Sequence, residues 1–202
     1  MKSNVIENIE NFLNDFQYFK LEKHELFQQL VHGGSKLIGI NTTPYDDGLM
    51  LDIQLAIRVD KVEQYIFGFY DQEKDKLSLT YWESLSNVCN DIPKRSFVQN
   101  EIELSKVLAE IEDALVKNGF NWLDRLSDVQ ELSKHIDDMV FNTIQKPVNI
   151  FNLCQRGYLI RILLEEKMTD SSFYEYYEQM QLHKLPEHQL EEFLQFKNFL
   201  RE

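Results

Sequence analysis

Residues 49–63, LMLDIQLAIRVDKVE, decide the reading of the fold. Leu51, Ile53, Leu55, Ile57 and Val59 alternate with Asp52, Gln54, Ala56, Arg58 and Asp60. Side chains of an extended chain point to opposite faces in turn, so this period of two predicts a strand with one apolar face. Its other face, carrying Asp52, Gln54 and Arg58, is expected to meet solvent or lie covered at an edge. The period then changes. Asp60-Lys61-Val62-Glu63 matches a capping box, with the Asp60 carboxylate accepting the N–H of Glu63 and the Glu63 side chain reaching back. Val62, Tyr65, Ile66 and Phe69 follow at helical spacing. The stretch therefore predicts a strand running into a helix, with Asp60 as its cap and not a catalytic acid.

The same two periods organise the flanks. Val5, Ile6, Ile9, Phe12, Leu13, Phe16 and Phe19 predict an amphipathic helix over 4–19, lying on a sheet. Residues 25–32 and 36–42 alternate around Gly33-Gly34, a tight hairpin turn. Residues 43–48 are turn chemistry, and 71–75 form a polar turn. Leu77, Leu79 and Tyr81 then alternate with Lys76, Ser78, Thr80 and Trp82, giving a fourth strand. Residues 83–95 read as either short helix or loop, and 96–98 as a short edge strand held in reserve. After residue 100 the pattern is helical. Asn100 with Glu103 caps a stripe of Leu104, Val107, Leu108, Ile111, Leu115 and Val116. Asn118-Gly119 is expected to end it in a left-handed conformation. Ser127 with Gln130 starts a helix burying Val129, Leu132 and Ile136. Lys146-Pro147 marks an internal boundary, followed by helices over about 149–168, 171–184 and 186–201. The expected architecture is α+β: a four-stranded antiparallel meander packed against helices over 1–145, with an all-helical extension, 146–202, packed on it.

Of 202 residues, 43% are hydrophobic and 12% aromatic, enough for an ordinary core, while seven glycines and four prolines leave little room for long loops. The net charge is −13, from 34 acidic and 21 basic side chains without a basic run, so neither nucleic acid nor an anionic membrane is an expected partner. Cys89 and Cys154 sit among apolar neighbours and read as buried thiols. The N-terminus carries acids and no sustained apolar run, and the longest apolar stretch, YLIRILL, is too short to span a bilayer. A cytoplasmic location is the expectation.

Chemistry is sparse. Phosphate loops, nucleophile elbows, HExxH and CxxC patterns do not occur, so no cofactor or metal is expected. His183 and His188 are not at the spacing that sets two ligands on one helix face. His24 and His32 read as two unrelated surface histidines. His135 sits near a helix end, where an imidazolium meets the negative end of the dipole; with Asp137 it is the first candidate if a site exists. The acidic pairs Asp46-Asp47, Asp137-Asp138 and Glu165-Glu166 read as solvated surface, because neighbours in sequence diverge in space. Phe173, Tyr177 and Met180 share a helical stripe that leaves Tyr176 elsewhere, and Phe193, Leu194, Phe196, Phe199 and Leu200 cover more than one face of the last helix. Such a surplus means either internal packing or an interaction surface.

IRVDKVE and NGFNWLDRLSDVQEL resemble segments of small bacterial cytoplasmic domains of unknown function, over about residues 5–136, with the C-terminal helices unmatched. Some related families are immunity-type proteins encoded beside toxins. The resemblance implies a binding role and carries no functional residue. The leading expectation is a non-enzymatic protein-binding module, immunity-like or an assembly factor, with a basic partner or a second copy of itself. Acidic side chains would speed such an encounter, and aromatics would anchor it. The rival expectation is a small-ligand protein or enzyme, with a cleft between the sheet and the C-terminal helices lined by Arg58, His32, Trp82 and Tyr81.

Overall fold

A computed structural model of the chain describes residues 2–21, 25–71, 77–142, 149–165 and 170–201, and the alternating stretch is extended in it from Gly48 to Val59. The chain groups into two compact units, residues 1–58 with 81–127 and residues 59–80 with 128–202. The expected boundary at Lys146-Pro147, the polar turn beyond Asp71 and His24 lie outside the described residues.

In the first unit, α1 (Lys2–Asn14) buries Val5, Ile9 and Leu13. It is shorter than its apolar spacing predicts. Gln17 takes a left-handed φ of 64°, and the N–H groups of Gln17 and Tyr18 donate to the carbonyls of Asn14 and Leu13. The helix therefore turns over, and Phe16 and Phe19 are left 37% and 45% exposed. Phe19–Lys20 becomes β1, paired with β2 (Leu26–Val31). The His32-Gly33 turn, with Gly33 at φ 75°, joins β2 to β3 (Gly34–Tyr45) in antiparallel register from Val31 opposite Gly34 to Leu26 opposite Gly39. A turn at Asp46-Asp47 leads into β4 (Gly48–Val59). Thr43, Pro44 and Tyr45, expected as turn, extend β3 instead.

Beyond β4 the chain forms α2 (Asp60–Tyr70), β5 (Tyr81–Ser84), the single turn α3 (Leu85–Val88) and β6 (Ser96–Val98). The sheet order is β1-β2-β3-β4-β5, with β6 also paired to β4. The sheet thus has six strands where four were expected. β6 is the short edge strand held in reserve over 96–98; β1, of two residues, is below the length at which alternation is legible. β5 is also displaced: Tyr81–Ser84 pairs antiparallel with Gln54–Ile57, and 77–80 stay outside the sheet.

The apolar face of β4 behaves as its pattern requires: Leu51, Ile53, Leu55, Ile57 and Val59 are all buried. In the first unit α4 (Glu101–Ala114) buries Leu104, Leu108 and Ile111. Asn100 caps it by accepting the N–H groups of Ile102 and Glu103, while Glu103 reaches back to the N–H of Gln99. Gly119 is not a left-handed stop. It sits at φ −60° at the end of a π-helical turn, Leu115–Gly119, that runs on into α5 (Phe120–Leu126). A Cβ there would lie 3.0 Å from Leu115, 3.3 Å from Leu85 and 3.6 Å from Leu55, so the missing side chain serves close packing.

The second unit holds α2, α6 (Val129–Asp137), a π-helical turn (Asp138–Asn142), α7 (Ile150–Glu165), α8 (Asp170–Leu182) and α9 (Glu187–Phe199). Asp128, not Ser127, caps α6, accepting the N–H groups of Gln130 and Glu131. α7 is buried from Cys154 through Ile160, including Gln155 and Arg156, so both polar side chains need partners.

Glu63 supplies one. The expected capping box does not form: Val59 is the N-cap without a side-chain bond, and Asp60 is the first helical residue. Glu63, 0% exposed, takes Arg156 Nε and Nη2 on its two oxygens, each at 3.0 Å. Thr80 Oγ1 donates to Glu63 at 2.9 Å and accepts the Val59 N–H at 2.9 Å, and Ser78 also donates to Glu63. Residues read as a strand face are thus the polar lining of a buried ion pair. Beside it the Tyr70 hydroxyl donates to Glu192 and accepts from Gln155 Nε2 at 3.0 Å. Burial and the Glu192 hydrogen bond push the Tyr70 phenol up to about 12.

Arg156→Met removes the cation and leaves the Glu63 carboxylate buried and uncompensated. The expected loss is about 3–5 kcal/mol of unfolding free energy by denaturant titration, with the double substitution Glu63→Met and Arg156→Met much closer to wild type.

Candidate functional site

The turn end of the β3–β4 hairpin brings exposed aromatic and acidic side chains of the first unit together. β3 and β4 are each 12 residues long. At their turn, Tyr45 is 54% exposed and Phe97 of β6 is 40% exposed, the two rings meeting edge-on at 5.9 Å between centroids. Asp46 and Asp47 between the strands are exposed. Pro44, Tyr45, Asp46, Asp47, Leu49 and Gln99 border an open concavity of about 360 Å³.

Gly48 makes this arrangement possible. A Cβ there would fall 2.5 Å from the Val98 carbonyl oxygen and 2.6 Å from the Phe97 ring. Only a residue without a side chain lets β6 register Val98 against Leu49 and Phe97 against Met50. Beneath β4, by contrast, the space among Leu51, Ile53, Leu85, Ile92 and Ile111 is about 10 Å³, room for one water at most.

The polar face of β4 is half-covered. Asp52, Gln54 and Arg58 are each of intermediate exposure, and Ala56 between them is buried. One Asp52 oxygen is buried without a hydrogen-bond partner among the described residues. That burial raises its carboxyl above the ordinary value, against the pull of Arg95 and Lys94. Gln54 lies beside Gly39, whose added Cβ would be 3.8 Å from Gln54 Cβ. Trp82, opposite Ala56, shares this face and is exposed. Tyr81, opposite Ile57, lies on the apolar face, with its ring 6.0 Å from Trp122 and its phenol pushed up first by burial and then by Glu83. His32 is exposed in the β2–β3 turn. Tyr81 and Trp82, expected to line one cleft, therefore point to opposite sides of the sheet.

In the second unit the structure does join two expected residues, Asp137 and Tyr176. The Tyr176 hydroxyl donates to Asp137 Oδ1, and Arg161 donates to Asp137 Oδ2 from Nε at 3.2 Å and Nη2 at 2.9 Å. Arg161 Nη1 reaches Glu175 at 2.6 Å, and its guanidinium lies 4.9 Å from the centre of the Tyr176 ring and 5.3 Å from that of Phe141. Burial works against the Arg161 charge, but the hydrogen bonds to Glu175 and Asp137 outweigh it and hold the group protonated. Burial, then Asp137, pushes the Tyr176 phenol far up, so it is no acid near neutral pH. Gly157 makes room for that hydroxyl, which an added Cβ would approach to 2.6 Å. The set is a bracket tying α6, α7 and α8, with its charges committed to one another. His135 is half-buried on α6. Tyr176 and Phe196 are both 0% exposed, Phe196 packing edge-on to Phe69 at 5.0 Å, so neither offers a surface to a partner.

Tyr45 and Phe97 escaped the sequence reading. Tyr45 sat in apparent turn chemistry, and Phe97 in a three-residue strand whose neighbour is set only by long-range pairing. Among the described residues no group of His, Cys, Asp and Glu is arranged to hold a metal, and no helix is long and apolar enough to cross a membrane. Comparison with known proteins finds no family model, no curated protein and no solved structure that matches the chain.

Gly48→Ala should unseat β6 from β4 while sparing the longer strand pairings. The expected cost is about 1–3 kcal/mol, with faster amide exchange at Phe97 and Val98, read by hydrogen-exchange NMR.

Proposed function

We propose that the chain is a non-enzymatic protein-binding module, of the immunity or assembly-factor kind, that docks a basic partner through the β3–β4 hairpin tip. The observation that carries this reading is an open concavity bordered by Tyr45, Asp46 and Asp47, with the exposed Phe97 ring set edge-on to Tyr45. Exposed rings supply contact area at low entropic cost, and an Arg or Lys of a partner is attracted both to the ring faces and to the carboxylates. The net charge of −13 draws a basic partner in by long-range steering and opposes pairing with a second copy. The titratable side chains that converge elsewhere, Glu63 with Arg156 and Asp137 with Arg161, are engaged in ion pairs that close helices together.

Affinity capture from a native extract with the intact chain, repeated at low and high ionic strength and with two variants, tests this. A specific basic partner should be retained by wild type at low salt and weakened by Asp46→Lys/Asp47→Lys. Tyr45→Ala should weaken the reconstituted complex by about thirtyfold, ~2 kcal/mol. A partner that binds both variants as tightly as wild type overturns the docking site, and light scattering that finds a dimer overturns the choice of partner.

A further inference from the structure

β3 outruns its neighbour. β2 pairs with Gly34–Gly39, and the Ile40 N–H donates to the Glu25 carbonyl at 2.9 Å, yet β3 continues to Tyr45. β4 lies on its other side, so Asn41–Tyr45 has one edge to which no strand is paired among the described residues. Along it Asn41, Thr43, Pro44 and Tyr45 are exposed and Thr42 is half-buried. An extended run of this size spans about 17 Å, an ordinary strand length. It is longer than β1, β5 or β6, which have two, four and three residues.

Backbone direction along this run follows from Ile40. Alternate residues of an antiparallel strand turn their N–H and C=O groups to the same side, so Thr42 and Pro44 face the open edge as Ile40 faces β2. Thr42 offers a donor and an acceptor there, and Pro44 an acceptor alone. A proline on an edge weakens pairing with a second copy, which a net charge of −13 opposes further. Side chains alternate as well. Pro44 borders the concavity of about 360 Å³ with Leu49 and Gln99, while the Tyr45 ring meets Phe97, so a strand laid along this edge reaches both features. Carboxylates stand at its two ends: Thr42 Oγ1 donates to Glu25 Oε2 at 3.2 Å, and the exposed Asp46 and Asp47 follow Tyr45.

We propose that the partner docks by adding an extended basic segment as a further strand along the Asn41–Tyr45 edge of β3. The inference rests on the hairpin tip being the docking place, and it specifies the form the partner takes there. Hydrogen bonds to Thr42 and Pro44 set the register of the added strand. Its alternate side chains fall on the Pro44 concavity and beside the Tyr45 ring. Arginine or lysine near either end of the segment meets Glu25 or the Asp46-Asp47 pair, in the charge-assisted hydrogen bonds that such groups favour.

The probe is a synthetic octapeptide alternating valine with arginine, titrated into the full chain and followed by amide NMR and hydrogen exchange. The Thr42 N–H should exchange fast in the free chain and about tenfold more slowly with peptide bound, with saturable shifts over residues 41–47. A glutamate-for-arginine peptide should bind at least about tenfold more weakly at the same ionic strength. N-methylating one alternate set of peptide amides should abolish binding and methylating the other should not, because only one set faces β3. A Thr42 N–H already protected in the free chain shows the edge occupied by this chain itself and overturns the inference, as does the absence of saturable shifts. Binding that survives both methylated sets yet is lost in Asp46→Lys/Asp47→Lys overturns strand addition and leaves the hairpin tip as a docking site. Shifts confined to residues outside 41–49 and 96–99 overturn both. A dimer by light scattering with Thr42 protected makes a second copy the occupant and overturns the choice of partner.

Discussion

The ion pair between Glu63 and Arg156 is the constraint from which the division of this chain follows. A carboxylate removed from water is tolerated only with a cation and with its remaining lone pairs filled. Glu63 meets both conditions, with Arg156 across its two oxygens and hydroxyls from Ser78 and Thr80. These partners come from a segment just before β5 and from α7, 93 residues further along the chain. The helix that interrupts the sheet in sequence is therefore held among the helices that follow residue 128. That is the physical reason the second compact unit is assembled from two separate stretches of chain.

Aromatic side chains are divided between interior and surface in a way that composition does not reveal. Phe173, Tyr176, Phe193 and Phe196 are withdrawn from solvent, Phe173, Phe193 and Phe196 with Tyr158 stacked or set edge-on at 4.7 to 6.5 Å along α7, α8 and α9. Burying such a ring stabilises by about 2–3 kcal/mol, so the surplus on the C-terminal helices is accounted for by packing. Tyr45, Trp82 and Phe97 remain outside, Tyr45 at the exposed end of β3 and the other two on strands whose neighbouring residues Tyr81 and Val98 are buried. Exposed rings beside carboxylates are what a partner-binding reading needs, and they lie on the sheet, not on the terminal helices.

Charge is organised with the same economy. Arg161 spans Asp137 and Glu175, Lys36 meets Asp124, and Lys197 with Arg201 meets Asp170. Much of the acidic excess is thus left on the surface, where the proposed binding role would use it to steer a basic partner.

How much of this was legible in the amino-acid order depends on the range of the forces involved. The alternation of Leu51 to Val59 sufficed for β4 and its buried face, because side-chain direction in a strand is local. The Asn100 cap, the buried cysteines and the helical second half were legible for the same reason. The hairpin site was not: Phe97 reaches Tyr45 only because β6 returns to β4, and Gly48 is needed only once Val98 arrives. Glu63 shows the limit most plainly. Its spacing from Asp60 satisfies a local capping rule, yet the side chain bonds to Arg156, since pairing two charges that are both buried outweighs a cap on a helix end open to water. Local periodicity determined which residues face inward; only the tertiary structure decided which polar groups would find each other, because such pairs are chosen by burial across long stretches of chain.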